Sequence, residues 1–300
     1  MGEARLTIHV QGDRVRIAGN ADLGRDRLLV GRKPDDALRL ITLLHNLCPT
    51  AHRLAATLAM GGEASPDDAR LLAREILVEH ALVILRDWPS ALGMTPDAVP
   101  LRGLSNLTMD RLIRLENDLF GMPAQRFLRI DDIGEVISAA PPVALYRLVA
   151  DLPVPATGGG DDDPTFFARC LADPMVASAV AGRGVTLALR MLARLREAAR
   201  VINELLSGEH APRFQRRADG VGAVEAARGR LVHRVRIEGG IIRDYAIETP
   251  TDIMTRPDGF LLRLLTGALA APPSLREKVL AIALSSADPC LPVEIEREAA

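Results

Sequence analysis

Apolar residues recur every three to four positions through most of this 300-residue chain and alternate strictly with polar ones only near its two ends. The two periods belong to helices and half-buried strands respectively, so the pattern sorts the chain before any motif is read. Helices are predicted over 34–46, 49–60, 66–87, 107–119, 164–180, 184–207, 259–270 and 274–285, helped by Pro or Asp at their starts. Leu6, Ile8, Val10, Val15 and Ile17 alternate with polar residues around Gln11-Gly12-Asp13, which predicts a hairpin. Leu231 to Ile237 and Ile241 to Ile247 repeat the device around Gly239-Gly240. The fold class is therefore mostly α with small β elements, α+β. In the longest helix Leu187, Met191, Leu195 and Ala198 form a stripe with Arg190, Arg194 and Glu197 between, which predicts one buried and one solvated face.

Composition excludes several classes of function. With 48% hydrophobic residues the chain can bury a substantial core. A net charge of −2, with arginines scattered among acids, leaves no electrostatic footprint for nucleic acid. The most apolar run, Ile76 to Leu85, contains Glu79 and His80 and is too short to span a bilayer, so no membrane segment is expected. Cys48, Cys170 and Cys290 are odd in number and far apart, and the N-terminus has no basic start followed by an apolar stretch. A cytoplasmic, reduced protein is the expectation. Gly182-Arg183-Gly184 lacks the strand and lysine of a phosphate loop, and no serine–histidine arrangement marks a nucleophile.

The cysteines carry what chemistry there is. Pro49 would clash inside a helix but suits a first helical position, so the chain should break at Asn46 to Cys48 and leave Cys48 at a helix N-terminus. The dipole there is expected to lower the thiol pKa and favour a metal-binding thiolate. His52, one turn on, would be within reach of the sulfur. Taken alone, a cysteine at a helix start is more often a small buried hydrophobe than a ligand. Cys170, inside a helical pattern, reads as core.

Two segments bring Cys48 and Cys290 together. His45-Asn46-Leu47-Cys48-Pro49-Thr50-Ala51-His52 and Asp288-Pro289-Cys290-Leu291-Pro292-Val293 resemble the Cys-x-x-Cys-x-x-x-His and Asp-Pro-Cys-x-x-Cys-x-x-His motifs of nickel-iron hydrogenase large subunits. Each has lost one cysteine: His45 and Val293 stand at the missing positions, and Glu296 replaces the final histidine. Gly24-Arg25-Asp26 and Gly31-Arg32-Lys33-Pro34-Asp35-Asp36-Ala37 resemble further family segments. So do Glu225-Ala226-Ala227-Arg228-Gly229-Arg230-Leu231-Val232-His233 and Ile237-Glu238-Gly239-Gly240-Ile241-Ile242 with Tyr245 and Pro250-Thr251. The resemblance covers the first ~60 residues and Glu225 to Cys290, and is weak between. A short chain with a kept framework and a depleted nickel site is similar to hydrogenase expression/formation proteins of the HupK/HoxV type.

That resemblance implies a truncated, large-subunit-like helical domain spanning 1–300; between the half-sites, Pro153 to Pro164, with Gly158-Gly159-Gly160 and Asp161-Asp162-Asp163, reads from its composition as a flexible linker or surface loop. The resemblance implies that Cys48, Cys290 and, through its imidazole, His45 face a metal, with Arg228 and His52 binding the cofactor's ligands. A planar guanidinium suits a cyanide nitrogen; the plain alternative for Arg228 is a surface arginine, and for His45 a surface or capping residue. Asp26 stands where the family uses a glutamate for proton transfer and, without catalysis, reads as structural. Val293 offers no donor atom, so no nickel is expected, because soft sulfur donors are what such a site depends on. The implied function is a non-catalytic maturation scaffold that receives iron bearing cyanide and carbonyl and passes it to the large-subunit precursor, with other maturation proteins as partners. Alternatives are a binding-only chaperone of maturation factors that holds no metal, or a residual hydrogenase or hydrogen sensor. The chain lacks the histidine at which the family's C-terminal peptide is cut and should persist at full length.

Overall fold

A computed structural model describes residues 5–19, 24–136, 138–154 and 162–297. The first hairpin forms as its alternation requires: β1 (Leu6–Gln11) and β2 (Arg14–Gly19) pair antiparallel from Leu6 opposite Gly19 to Gln11 opposite Arg14. Gly12 takes the left-handed conformation in the two-residue turn. The third strand comes from the far end of the chain. Residues Val293–Arg297 (β7) lie parallel to β1, with Leu6 opposite Val293, so the two ends of the sequence are hydrogen-bonded to one another.

The second sheet is larger than its visible alternation. β5 (Gly229–Glu238) and β6 (Ile241–Glu248) are the expected pair, and β3 (Phe214–Ala218) and β4 (Val221–Ala226) precede them in an antiparallel meander of order β3-β4-β5-β6. Helix α1 (Pro34–Leu44) is followed by α2 (Pro49–Ala59), which lies across β4 and β5. Gly222 permits that approach: a β-carbon there would stand 2.1 Å from the carbonyl oxygen of Ala55. Helix α3 (Asp68–Leu82) continues through a π turn (Val83–Asp87) into a short helix at Trp88–Ala91, matching the expected 66–87 segment.

Further helices are α4 (Met109–Phe120), α5 (Pro141–Ala150), α6 (Pro174–Arg183), α7 (Leu187–Ser207), α8 (Phe260–Leu269) and α9 (Arg276–Ala287). The continuous helix expected over 164–180 is two: Phe167–Cys170, then α6, which restarts at Pro174 with Asp173 accepting from the backbone N–H groups of Met175 and Val176. Most of the expected loop at 153–164 falls outside the described residues, but its end is anchored, because Asp163 is buried and ion-paired with Arg190.

Helix α7 departs from its amphipathic reading. It runs through the core and is buried on all sides over its first thirteen residues, charged ones included. The charges survive burial because each meets an opposite partner from another element. Arg190 pairs with Asp163, Arg196 with Asp173 at 2.8 Å, and Glu197 with Arg169 at 2.5 Å, while His80 hydrogen-bonds Glu197 at 3.0 Å. A charge can be buried where pairing and hydrogen bonds offset its desolvation, and a charged stripe in sequence cannot report such partners.

Candidate metal-group site

The site is assembled where β-turn, helix start and chain end converge. Helix α1 ends at Leu44, Pro49 opens α2, and Cys48 is its N-cap residue, as the proline position requires. Arg228 stands in the two-residue turn between β4 and β5, where Ala226 pairs with Gly229. Gly229 is needed behind it: φ is +141°, and a β-carbon would meet the Pro164 carbonyl oxygen at 2.1 Å. Asp288 closes α9 in a left-handed conformation, turning the chain into Cys290, and β7 then ties the segment down against β1.

Arg228 is the hub. Its Nη1 donates to Cys48 Sγ at 3.3 Å, its Nη2 pairs with Glu79 at 2.8 Å, and its Nε lies 3.2 Å from Asp288. The residue is 8% exposed, so it is not a surface arginine. Cys290 is held by Thr251, whose hydroxyl oxygen accepts from the Cys290 backbone N–H at 2.9 Å and lies 3.0 Å from its sulfur. Cys48 and Cys290 line one cavity of about 570 Å³, together with Arg25, His45, His52 and Arg228. The sequence-distant thiols are thus brought together. Asp26, which bonds the Arg27 N–H, lines an adjoining cavity with Arg25, His45, His52 and Cys290.

The expected thiolate at Cys48 is corrected. Burial pushes this thiol up to about 12, only partly opposed by the Arg228 charge, with Glu75 and Glu79 pushing further upward. The helix dipole does not help because it is already spent: the Glu75 carboxylate accepts from the N–H groups of Thr50 and Ala51 at 2.6 and 3.0 Å. Cys290 is likewise raised by burial. Both thiols stay protonated at neutral pH, and a soft metal that binds them must displace their protons.

The histidines form a column. His45 stacks on His52 with ring centroids 3.7 Å apart and 11° between the planes. His52 Nδ1 lies 3.0 Å from His233 Nε2, and His233 Nδ1 lies 2.7 Å from the Tyr245 hydroxyl. Burial holds His45 down to about 4 and His233 to about 3, so these imidazoles are neutral. His45 Nε2 is buried without a hydrogen-bond partner among the described residues. Among the described residues, no three His, Cys, Asp or Glu side chains are grouped to hold a metal ion as a closed cage.

Val293 and Glu296, which replace a cysteine and a histidine of the resembling motif, both lie in β7. That segment supplies backbone to a sheet where the motif would supply donors. Sequence reasoning gave no role to Glu75, Glu79, Asp288, Thr251, His233 or Tyr245. For Glu79 a signal was present, as a carboxylate inside the most apolar run of the chain.

The fold is that of the nickel-iron hydrogenase large subunit. It superposes on an NAD+-reducing NiFe hydrogenase in the H2-reduced state with a TM-score of 0.55 at 17% identity over 93% of each chain. It matches the reduced Ni-Fe-Se hydrogenase of D. vulgaris Hildenborough with a TM-score of 0.54 at 17% identity over 94% of each chain.

Within that fold class, the chain is similar to hydrogenase expression/formation proteins of the HupK/HoxV type. It is 28% identical to HupK of Rhodobacter capsulatus, covering 90% of this chain and 88% of that protein. It is 29% identical to HupV of Azotobacter chroococcum mcd 1 over 90% of each, and 26% identical to HoxV of Cupriavidus necator over 93% and 92%. No family model matches the chain. No helix among the described residues is long and apolar enough to cross a membrane.

Proposed function

We propose that this chain is a non-catalytic maturation protein for nickel-iron hydrogenase: it receives an iron group bearing cyanide and carbonyl ligands and passes it to the large-subunit precursor. The observation that carries the reading is the pair of thiols from opposite ends of the chain, facing one cavity beside a buried arginine. Iron would be held by Cys48 and Cys290, with the His45 imidazole as a third donor. Arg228 and His52 would bind the diatomic ligands, since a guanidinium edge suits a cyanide nitrogen. Nickel finds too few soft donors, because Val293 has none to offer. Two thiolates in place of four also suit cargo that must leave. The relatives' names support a role in hydrogenase formation, and the other maturation proteins would be the partners.

The test is infrared spectroscopy and iron analysis of protein purified without oxygen from cells expressing the maturation machinery. Cyanide and carbonyl stretches with bound iron are expected. A clean spectrum without iron would sink the cargo role and leave a binding-only chaperone. The maturation role itself is read by deletion: hydrogenase activity should fall and the large subunit should accumulate in its longer, unprocessed form. Normal activity and processing, with no paralogue present, would contradict it.

A further inference from the structure

Tyr245, His233 and His52 form a buried hydrogen-bonded chain that ends at the cavity. The direction of its protons follows from counting them. The Tyr245 hydroxyl has one polar partner among the described residues, His233 Nδ1 at 2.7 Å. Were that oxygen to accept from an Nδ1–H, its own hydrogen would be buried with nothing to receive it, which burial makes costly. Tyr245 therefore donates. A neutral His233 then carries its proton on Nε2 and donates it to His52 Nδ1, 3.0 Å away. A neutral His52 must in turn carry its own proton on Nε2, the ring nitrogen with no protein partner among the described residues. Stacking with His45 on one face fixes the plane of that ring.

We propose that Tyr245 and His233 lock His52 in the Nε2–H tautomer, so that His52 presents a hydrogen-bond donor to the cavity and is not a metal ligand. Both of its nitrogens are committed: Nδ1 accepts from His233, and Nε2 carries hydrogen where a metal would need a lone pair. The group it serves must offer a lone pair to that hydrogen, as a metal-bound cyanide nitrogen or a thiolate does. Tyr245 and His233 are positioning residues, since neither lines the cavity. Only the identity of the acceptor rests on the proposed cargo; the tautomer belongs to the protein alone.

The same logic is visible elsewhere in the molecule. Arg194 Nη1 donates to His80 Nδ1 at 3.1 Å, and an arginine cannot accept, so His80 must carry its proton on Nε2, facing Glu197 at 3.0 Å.

The test is a long-range proton–nitrogen correlation spectrum of histidine-labelled, full-length protein without cargo, with the His52 signals assigned by their loss in His52→Gln. Wild-type protein should show His52 and His233 both protonated on Nε2. Tyr245→Phe removes only the donating hydroxyl, and the Nδ1-protonated form of His52 should then appear at the expense of the other. Wild-type His52 protonated on Nδ1, or a wild-type pattern retained in Tyr245→Phe, would overturn the proposal. Because the protein is read empty, the result stands whether or not iron is found by infrared spectroscopy.

Discussion

Cys48 and Cys170 are both buried, and burial raises both thiols, yet their surroundings assign them opposite work. Cys170 sits against α7, with its sulfur 3.7 Å from the Ala193 carbonyl and from Glu197, inside a set of charges that satisfy one another. His80, Arg169 and Arg194 complete that set, and Arg194 lies over the Phe166 ring at 4.1 Å. Cys48 lines an open cavity and takes a hydrogen bond from Arg228, while a second thiol and two histidines share the space. Burial and a raised thiol therefore do not separate a core cysteine from a candidate ligand. What separates them is access, together with a cation positioned to stabilise a thiolate once a metal has displaced its proton.

The largest effect should come from the closed region. Glu197→Ala leaves Arg169 and Arg194 with less compensation in the core and should cost ~3–5 kcal/mol in denaturant unfolding. A loss near zero would mean that the pairs around α7 are not the reason its charges can be buried.

The same region sets a pH dependence. Burial, outweighing the opposing pull of Glu197, holds His80 down to about 4, against 6.5 for a free histidine. Between those values the unfolded chain binds the extra proton, so the contribution to stability is fully present above 6.5 and is lost as the pH falls towards 4. His45 and His233 add to it in the same direction. Thermal melts recorded from neutral pH downward should show falling stability through this window, and His80→Gln should flatten the slope.

At the open site the effects on folding should be small and those on cargo complete. Cys48→Ala should change stability by no more than about 1 kcal/mol while abolishing the infrared bands. Arg228→Lys should keep the bands but shift the cyanide frequencies, since one point-charge donor replaces a planar fork. Unshifted bands would mean that Arg228 positions Cys48 and Asp288 and does not touch the diatomic ligands.

Local patterns disclosed the hairpins at Gly12 and at Gly239-Gly240 and the α2 start at Pro49, because alternation and proline are written in consecutive residues. The thiol pair was legible through its resemblance to a motif. What stayed hidden depends on partners far away in sequence. Glu75 caps α2 from 25 residues away and removes the dipole that Cys48 was expected to use. Arg190 and Arg194 look solvated until Asp163 and Asp288 are brought to them by the fold. The β3–β4 pair escaped because Gly222 lies against α2 with no side chain, which leaves little alternation to detect.

The comparison of the two cysteines is tested most directly by infrared spectra of Cys48→Ala and Cys170→Ala, each purified without oxygen beside the wild type. Access to the cavity predicts that Cys170→Ala keeps the cyanide and carbonyl bands with bound iron and that Cys48→Ala loses both. Bands that survive in Cys48→Ala, or that vanish only in a folded Cys170→Ala protein, would contradict the assignment of the cavity thiol as the cargo's ligand.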